Sequence, residues 1–329
     1  LLLGAMLLGA WASPTVVSWL ARLLRPLVAR PRLALALTIV TLVGLPILLD
    51  WLLMPQRTAS SSMLACNGHE ELCDRRFNEV VYPATHNAMS ASSLGWVWPN
   101  HDGDLSIQLK AGVRAFLLDT HYGDTQEEIA RYLATFPSAS RSLAERIINA
   151  ADPKTRDPSN LFVCHNLCAL GATPLDAAFA DIRDFLDRNR HEVVVLILQD
   201  EISPQDTAAV MEDSGLIRYV YTHSPNDEWP TLREMIEANT RLAVFAERGG
   251  PPPGWYMHLW DYAEETPFNY HRPEDFTCAP NRGESNKPLF LLNHWIAQRA
   301  PDRVDAAFVN EYNFLLERAL TCEEERGHI

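Results

Sequence analysis

The chain has 329 residues, 47% of them hydrophobic, and a formal net charge of −14 at pH 7. Residues 1–57 hold five Arg and one Asp, a charge of +4, which leaves −18 on residues 58–329. So acidic a segment excludes nucleic acid as a partner on electrostatic grounds and gains nothing from docking on anionic lipid.

The chain opens on two apolar stretches. One is "LLLGAMLLGAWASPTVVSWL" over 1–20; the other is "LALALTIVTLVGLPILL" over 33–49, carried past Asp50 by Trp51–Met54. Each is close to the ~20 residues a helix needs to cross a bilayer. The loop 21–32 between them carries Arg22, Arg25, Arg30 and Arg32, and short Arg-rich loops stay in the cytoplasm. The pattern predicts transmembrane helices that anchor the chain through residues 1–57 and deliver residues 58–329 to the extracytoplasmic side. A cleaved signal peptide is the alternative for the second stretch, although such apolar cores run only ~7–15 residues.

All six cysteines lie beyond the anchor: Cys66, Cys73, Cys164, Cys168, Cys278 and Cys322. An even number in an outward-facing segment reads as disulfides. Spacing pairs Cys66 with Cys73 in "CNGHEELC" and Cys164 with Cys168 in "CHNLC", which leaves Cys278 for Cys322. Zinc is the rival reading, but the chain has no CxxC pair.

Residues 58–329 suit one large domain, of the size of a (β/α)8 barrel at about 250 residues. Short apolar runs recur at Glu79–Ala84, Val113–Asp119, Leu161–Cys164, Glu192–Gln199, Arg241–Ala246 and Leu289–Asn293, with weaker ones at Leu216–Tyr221 and Trp255–Trp260. Continuous apolar strands belong to parallel sheets covered on both faces. Between them, "TPLDAAFADIRDFLDRNR" reads as a helix with Thr173 as N-cap and Pro174 at the first position. Its apolar stripe is Leu175, Ala178, Phe179, Ile182, Phe185 and Leu186. "WPTLREMIEANT" reads as another, with Leu232, Met235 and Ile236 on one face. The stretch Thr125–Asn160 is long for one crossover and predicts extra helix. The fold class expected is α/β, a TIM-type (β/α)8 barrel; a doubly wound open sheet is the runner-up, without a Gly-rich phosphate loop to support it.

The predicted strands end alike. The first runs into His86-Asn87, the second into Asp119 with His121 beyond, the third into His165-Asn166, the fourth into Gln199-Asp200-Glu201. In a barrel these C-terminal ends converge on the face where active sites sit. Alternation puts Ala115, Leu117, Asp119 and His121 on one face of the second strand and Arg114, Phe116 and Leu118 on the other. Arg114 then reads as structural. Asp119 has a plainer reading as a helix cap. Two histidines with no Ser or Cys nucleophile suit acid/base chemistry on a phosphodiester, one imidazole removing a proton and the other supplying one. No G-x-S-x-G elbow is present for Ser-His-Asp hydrolysis. Trp255, Tyr256, Trp260, Tyr262 and Trp295 follow the later strands; they read either as a rim for sugar or membrane or as core.

These motifs in order resemble the phospholipase-C-like phosphodiesterase superfamily. They are "CNGHEELCDRRFNEVVYPATHNAMS", "QLKAGVRAFLLDTHYG", "FVCHN", "PLDAAFADIRDFLDRNRHEVVVLILQDE", "WPTLREMIEANTRLAVFAE" and "CAPNRGES". The likeness is greatest to the secreted or anchored branch related to the phosphatidylinositol-specific phospholipase C X domain, and it spans roughly residues 66–295. It implies a TIM-type barrel, His86 as general base and His165 as general acid. It also implies Asn87 and Asp119 as calcium ligands, as in calcium-dependent members. Two positions depart from that pattern. Leu117 stands where those members have a carboxylate, and Gln199 where they have a glutamate; Asp200 or Glu201 would have to turn inward to compensate. The resemblance therefore implies an outward-facing, membrane-anchored phosphoric diester hydrolase acting on a phospholipid or glycolipid head group, with Ca2+ as its cofactor if those ligands assemble. The alternatives are a catalytically silent barrel that binds a ligand or partner, and a glycerophosphodiester phosphodiesterase, whose Glu-x-Asp pair is absent at Leu117–Asp119.

Overall fold

The computed structural model describes residues 65–224, 227–250, 253–297 and 302–327. The apolar stretches expected to anchor the chain lie outside the described residues. Among the described residues no helix is long and apolar enough to cross a membrane.

The segment begins with a small knot. The Cys66–Cys73 disulfide closes it, and Asn67 ties it to the start of a central strand, its amide reaching His191 O at 3.0 Å and its Oδ1 accepting from Val193 N at 2.7 Å. Phe77 then buries its ring against Trp229, 5.0 Å between centroids.

The sheet follows. β1 (Ala84–Thr85) lies parallel to β2 (Ala115–Tyr122), which continues in parallel register to β5 (Val194–Asp200), β6 (Leu242–Ala246) and β7 (Tyr256–His258). β3 (Leu161–Cys164) and β4 (Ala172–Pro174) join antiparallel, β3 on the C-terminal half of β2 and β4 on β3. A second sheet pairs β8 (Ala263–Glu265) with β9 (Leu289–Leu291), again parallel. The fold is thus α/β with a mixed sheet, and an antiparallel hairpin interrupts the all-parallel pattern that the apolar runs suggest. The cause is local: β2 outruns β1, so its free edge at Thr120–Tyr122 pairs with the returning chain.

The helices are α1 (Leu105–Lys110), α2 (Gln126–Ala134), α3 (Ser138–Ala150), α4 (Leu175–Arg188), α5 (Pro204–Asp213), α6 (Leu232–Glu237), the one-turn α7 (Leu259–Tyr262), α8 (Arg303–Val309) and α9 (Tyr312–Arg326); α1, α4 and α5 pack on one face of the sheet. The predicted stripe of α4 is buried in full, packed with Phe116, Leu118, Leu196 and Leu198. Pro174, not Thr173, is its N-cap, because Thr173 is held in β4 opposite Val163. α2 and α3 fill Thr125–Asn160 as expected. Leu216–Tyr219 is a 3-10 turn instead of a strand. The other face of the sheet carries a separate core of Ala115, Leu117, Val195, Ile197, Phe245 and Met257. That face of β2 leads to Asp119.

Candidate active site

Asp119 follows Leu117 on this same face of β2 and is buried. Its Oδ2 accepts from Nδ1 of His165 at 2.7 Å, with 6% of the Asp119 side chain exposed and 41% of the His165 side chain. The contact fixes the imidazole with Nδ1 as donor and leaves Nε2 for whatever occupies the mouth. His165 sits in a five-residue loop closed by the Cys164–Cys168 disulfide. Asp124 pins the far side of that loop, accepting from Cys168 N and Ala169 N at 2.8 Å each. The Cys278–Cys322 disulfide is formed as well, so all three pairings read from spacing are present.

His86 leaves β1 beside β2, where Ala88 N donates to Leu117 O at 3.0 Å. Its ring stacks on Trp295, 3.9 Å between centroids and 12° between planes. Among the described residues its buried Nδ1 has no hydrogen-bond partner. Burial drives its pKa down to about 4, against the upward pull of Asp119 and with further depression from His165 and His101. His86 is therefore neutral at pH 7 and near enough to both other groups to feel their charge. His121, two residues beyond Asp119, is a third imidazole here, depressed mainly by burial, with its Nε2 unpartnered.

The asparagines after the two histidines have a backbone role. Asn87 (φ 50°) and Asn166 (φ 63°) are both left-handed, a conformation that Asn tolerates better than most residues. Each ends a strand and turns the chain away, leaving the histidine at the tip. Asn87 is 4% exposed and its Oδ1 has no partner.

Gln199 lies in register with Asp119 and on the same face. Asp200 pairs in register with Thr120 and so points to the opposite face. Both of its oxygens are engaged there, accepting from Arg248 N at 2.8 Å and Gly249 N at 2.7 Å. A Cβ at Gly249 would stand 2.5 Å from Asp200 Oδ2, so a larger residue there would displace this carboxylate. Glu201 pairs with Arg248. The compensation expected from Asp200 or Glu201 is thus absent, because the loop after β6 takes both carboxylates. Of the expected ligands that leaves Asn87, Gln199 and one carboxylate, Asp119, whose Oδ2 already serves His165. Calcium takes six to eight oxygens, and among the described residues no three His, Cys, Asp or Glu gather to hold a metal. The donor set does not fit calcium, and no step below runs through a metal.

Sequence reasoning gave no role to a second cluster. Glu247, the residue after β6, bonds Arg282 Nη1 at 2.9 Å. Arg282 also bridges both oxygens of Glu265 on β8, which is 0% exposed and further bonded by Asn281 and Asn293 at 2.9 Å each. Its guanidinium lies 4.3 Å over Trp260. Gly283 lets this loop press on β8: a Cβ would fall 2.1 Å from Ala263 O. Burial raises the Glu247 pKa, Arg282 opposes this, and Glu265 and Asp119 add to it, so the cluster borders the Asp119 site. The signal was present in "AVFAE", another strand ending on a charge, and in "CAPNRGES".

Arg114 is structural, as expected, bonded to Glu192 at 2.6 Å. Of the late aromatics, Tyr256 and Tyr262 are core residues, Trp260 flanks Arg282, and Trp295 covers His86.

The PI-PLC X 1 family model matches residues 144–328, more than half of the chain. The chain belongs to the PI-PLC X family. The matched range holds His165, Glu247, Arg282 and Trp295 and begins after His86 and Asp119. Among PI-PLC X relatives, a PI-PLC X domain-containing protein 1 from the fungus Arthroderma benhamiae is 26% identical over 270 residues, 75% of each chain. An uncharacterized secreted protein of the same fungus is 26% identical over 245 residues, 70% of this chain and 47% of that one. A PI-PLC X domain-containing protein of Arabidopsis thaliana is 24% identical over 243 residues, 67% of this chain and 49% of its own. The chain thus spans about half the length of two of these relatives. Staphylococcus aureus phosphatidylinositol-specific phospholipase C aligns in structure with a TM-score of 0.36 and 16% identity, over 56% of this chain and 53% of the other.

Proposed function

We propose that residues 58–329 form a phosphodiesterase that cleaves the head group from a phosphatidylinositol-like lipid, with His86 as general base and His165 as general acid. The observation that carries this reading is the 2.7 Å Asp119–His165 contact, with neutral His86 within electrostatic reach of both. A hydroxyl of the head group beside the phosphodiester attacks phosphorus and gives its proton to His86. The bond from phosphorus to the glycerol oxygen breaks as His165 protonates that oxygen. The products are a cyclic phosphate and diacylglycerol. Asp119 orients the acid and offsets the positive charge of its protonated ring. The Glu247–Arg282–Glu265 cluster with Trp260 offers acceptors, donors and a ring face to the head-group hydroxyls.

We infer a TIM-type barrel for this domain. Seven strands run parallel to a sheet neighbour, and the His86–Trp295 stack brings the chain after β9 to the end of β1. We place the domain outside the cytoplasm, on the support of three disulfides, a secreted fungal relative and the basic loop between the two apolar stretches. Membrane anchoring through residues 1–57 rests on those stretches.

The test is head-group release from phosphatidylinositol vesicles by the full chain, with calcium and with chelator, beside His86→Ala and His165→Ala. Release that survives chelation and disappears in both variants supports the proposal. Release lost on chelation would restore a metal to the mechanism. No release at all favours the second reading, a silent binding barrel, to which the commitment of Asp200 and Glu201 to the loop after β6 gives some weight.

A further inference from the structure

The catalytic base of this reading lacks the usual anchor. A functional imidazole is held by a hydrogen bond at the nitrogen it does not use, as His165 is by Asp119. Among the described residues His86 has none: its Nδ1 is buried and unpartnered, and its polar attachment runs through the backbone, where His101 Nε2 meets His86 O at 2.8 Å. The indole of Trp295 stacks on the ring itself, nearly parallel to it at 3.9 Å between centroids.

Trp295 in turn is held on both sides. Before it, Asn293 donates from Nδ2 to Glu265 Oε2 at 2.9 Å and to Thr266 O at 2.6 Å. His294 donates from Nε2 to Val309 O, the end of α8, at 2.7 Å, and accepts at Nδ1 from Arg318 of α9 at 2.8 Å. The same Arg318 Nη1 reaches Asn293 O at 2.6 Å. Arg318 is 8% exposed and lies 4.2 Å over Phe276. After Trp295, Ala297 N donates to Tyr270 O at 2.7 Å. The end of α8 and Arg318 of α9, far along the chain from β1, therefore hold the residues that lead into Trp295.

We propose that Trp295 is the positioning residue for His86, its indole face standing in for the missing hydrogen bond, and that Arg318 sets Trp295 through the Asn293–His294 turn. The inference rests on the assignment of His86 as base. A flat stack restricts rotation of the imidazole about its Cβ–Cγ bond without using a ring nitrogen, so the ring is aimed without being occupied.

The experiment is a double-mutant cycle in the full chain, read with an inositol phosphodiester of nitrophenol so that residual turnover is measurable. Trp295→Ala is expected to lower kcat about tenfold with KM within twofold and little change in melting temperature, and Trp295→Phe to restore most of kcat. In the His86→Ala background, Trp295→Ala should cost nothing further, because it acts only through His86. A similar loss in both backgrounds, or unchanged kcat in Trp295→Ala while His86→Ala is inactive, overturns the positioning role. Full activity of His86→Ala would instead overturn the base assignment. Arg318→Lys, which keeps the charge but not the two-pronged contact, should reproduce part of the kcat loss; wild-type kcat in a folded Arg318→Lys would remove Arg318 from the chain of contacts.

Discussion

Asp119→Asn isolates the acid half of the mechanism. The carboxylate is buried and meets a ring that is 41% exposed, at 2.7 Å. Hydrogen bonds to charged groups contribute about 1.5–3 kcal/mol, and the solvent on the His165 side places this one in the lower half of that range. At about 1.4 kcal/mol per factor of ten, kcat for lipid cleavage should fall about 10- to 40-fold. The loss should depend on the leaving group. A glycerol oxygen needs a proton as its bond breaks, whereas nitrophenolate does not. Kinetics with phosphatidylinositol and with the nitrophenyl diester, side by side, are the assay. A loss confined to the lipid substrate supports Asp119 as the partner of a general acid. Equal losses with both substrates, or wild-type turnover on lipid, would refute the reasoning and return Asp119 to a structural cap.

The remaining predictions concern protons and staples. His86 carries a pKa of about 4, below its ordinary 6.5, so the acid limb of kcat/KM should fall near pH 4; a limb near 6.5 would deny that the base is the buried ring. The sign for stability is the same: the unfolded chain binds a proton at pH 6.5 that the folded chain refuses until about 4, so stability falls as pH drops through that window. His86 alone accounts for up to about 3 kcal/mol of this, and His86→Gln should flatten that part of a melting-temperature profile. Cys278–Cys322 closes a span of 44 residues and Cys66–Cys73 one of 7. In the chain-entropy picture they contribute about 4 and about 2 kcal/mol. Denaturant unfolding of the two double-Ser variants should show that order, and the reverse order would point to strain or residual structure instead.

Much of this was legible in the sequence because period and position carry it. The stripe of α4 reads directly from its 3.6-residue spacing, and alternation along β2 places Leu117 and Asp119 on one face. The His-Asn pairs read as strand ends, though not the reason for them. The side chain of Asn suggests a ligand, while its tolerance of positive φ does the work at Asn87 and Asn166. The fate of Asp200 was hidden because alternation had to be counted from the register with β2, which only the paired strands supply. Its partners, Arg248 N and Gly249 N, are backbone groups that no side-chain pattern reveals. β8 escaped notice because "AEE" is polar; Glu265 is buried against Arg282, seventeen positions on, with Asn281 and Asn293 beside it. The Trp295–His86 stack joins residues over two hundred positions apart, and only the return of the chain after β9 brings them together.

The charge at the mouth limits which head group fits. Among the described residues, Asp119 has no cationic side chain of Lys or Arg among its hydrogen-bond partners. Glu247 and Glu265 share a single Arg282, a net −1, while Glu201 and Arg248 cancel. No Lys enters these contacts, and the chain as a whole is at −14. On the proposed reading a singly charged diester is tolerated beside His165; two further phosphates on the ring would bring about four more negative charges into an acidic, partly buried space, where like charges repel over several ångströms. The domain should therefore release head group from phosphatidylinositol at least tenfold faster than from its bisphosphate at equal surface density, with the gap narrowing in high salt. Comparable rates on both lipids would mean that a cation, from the protein or from solution, stands at the mouth after all.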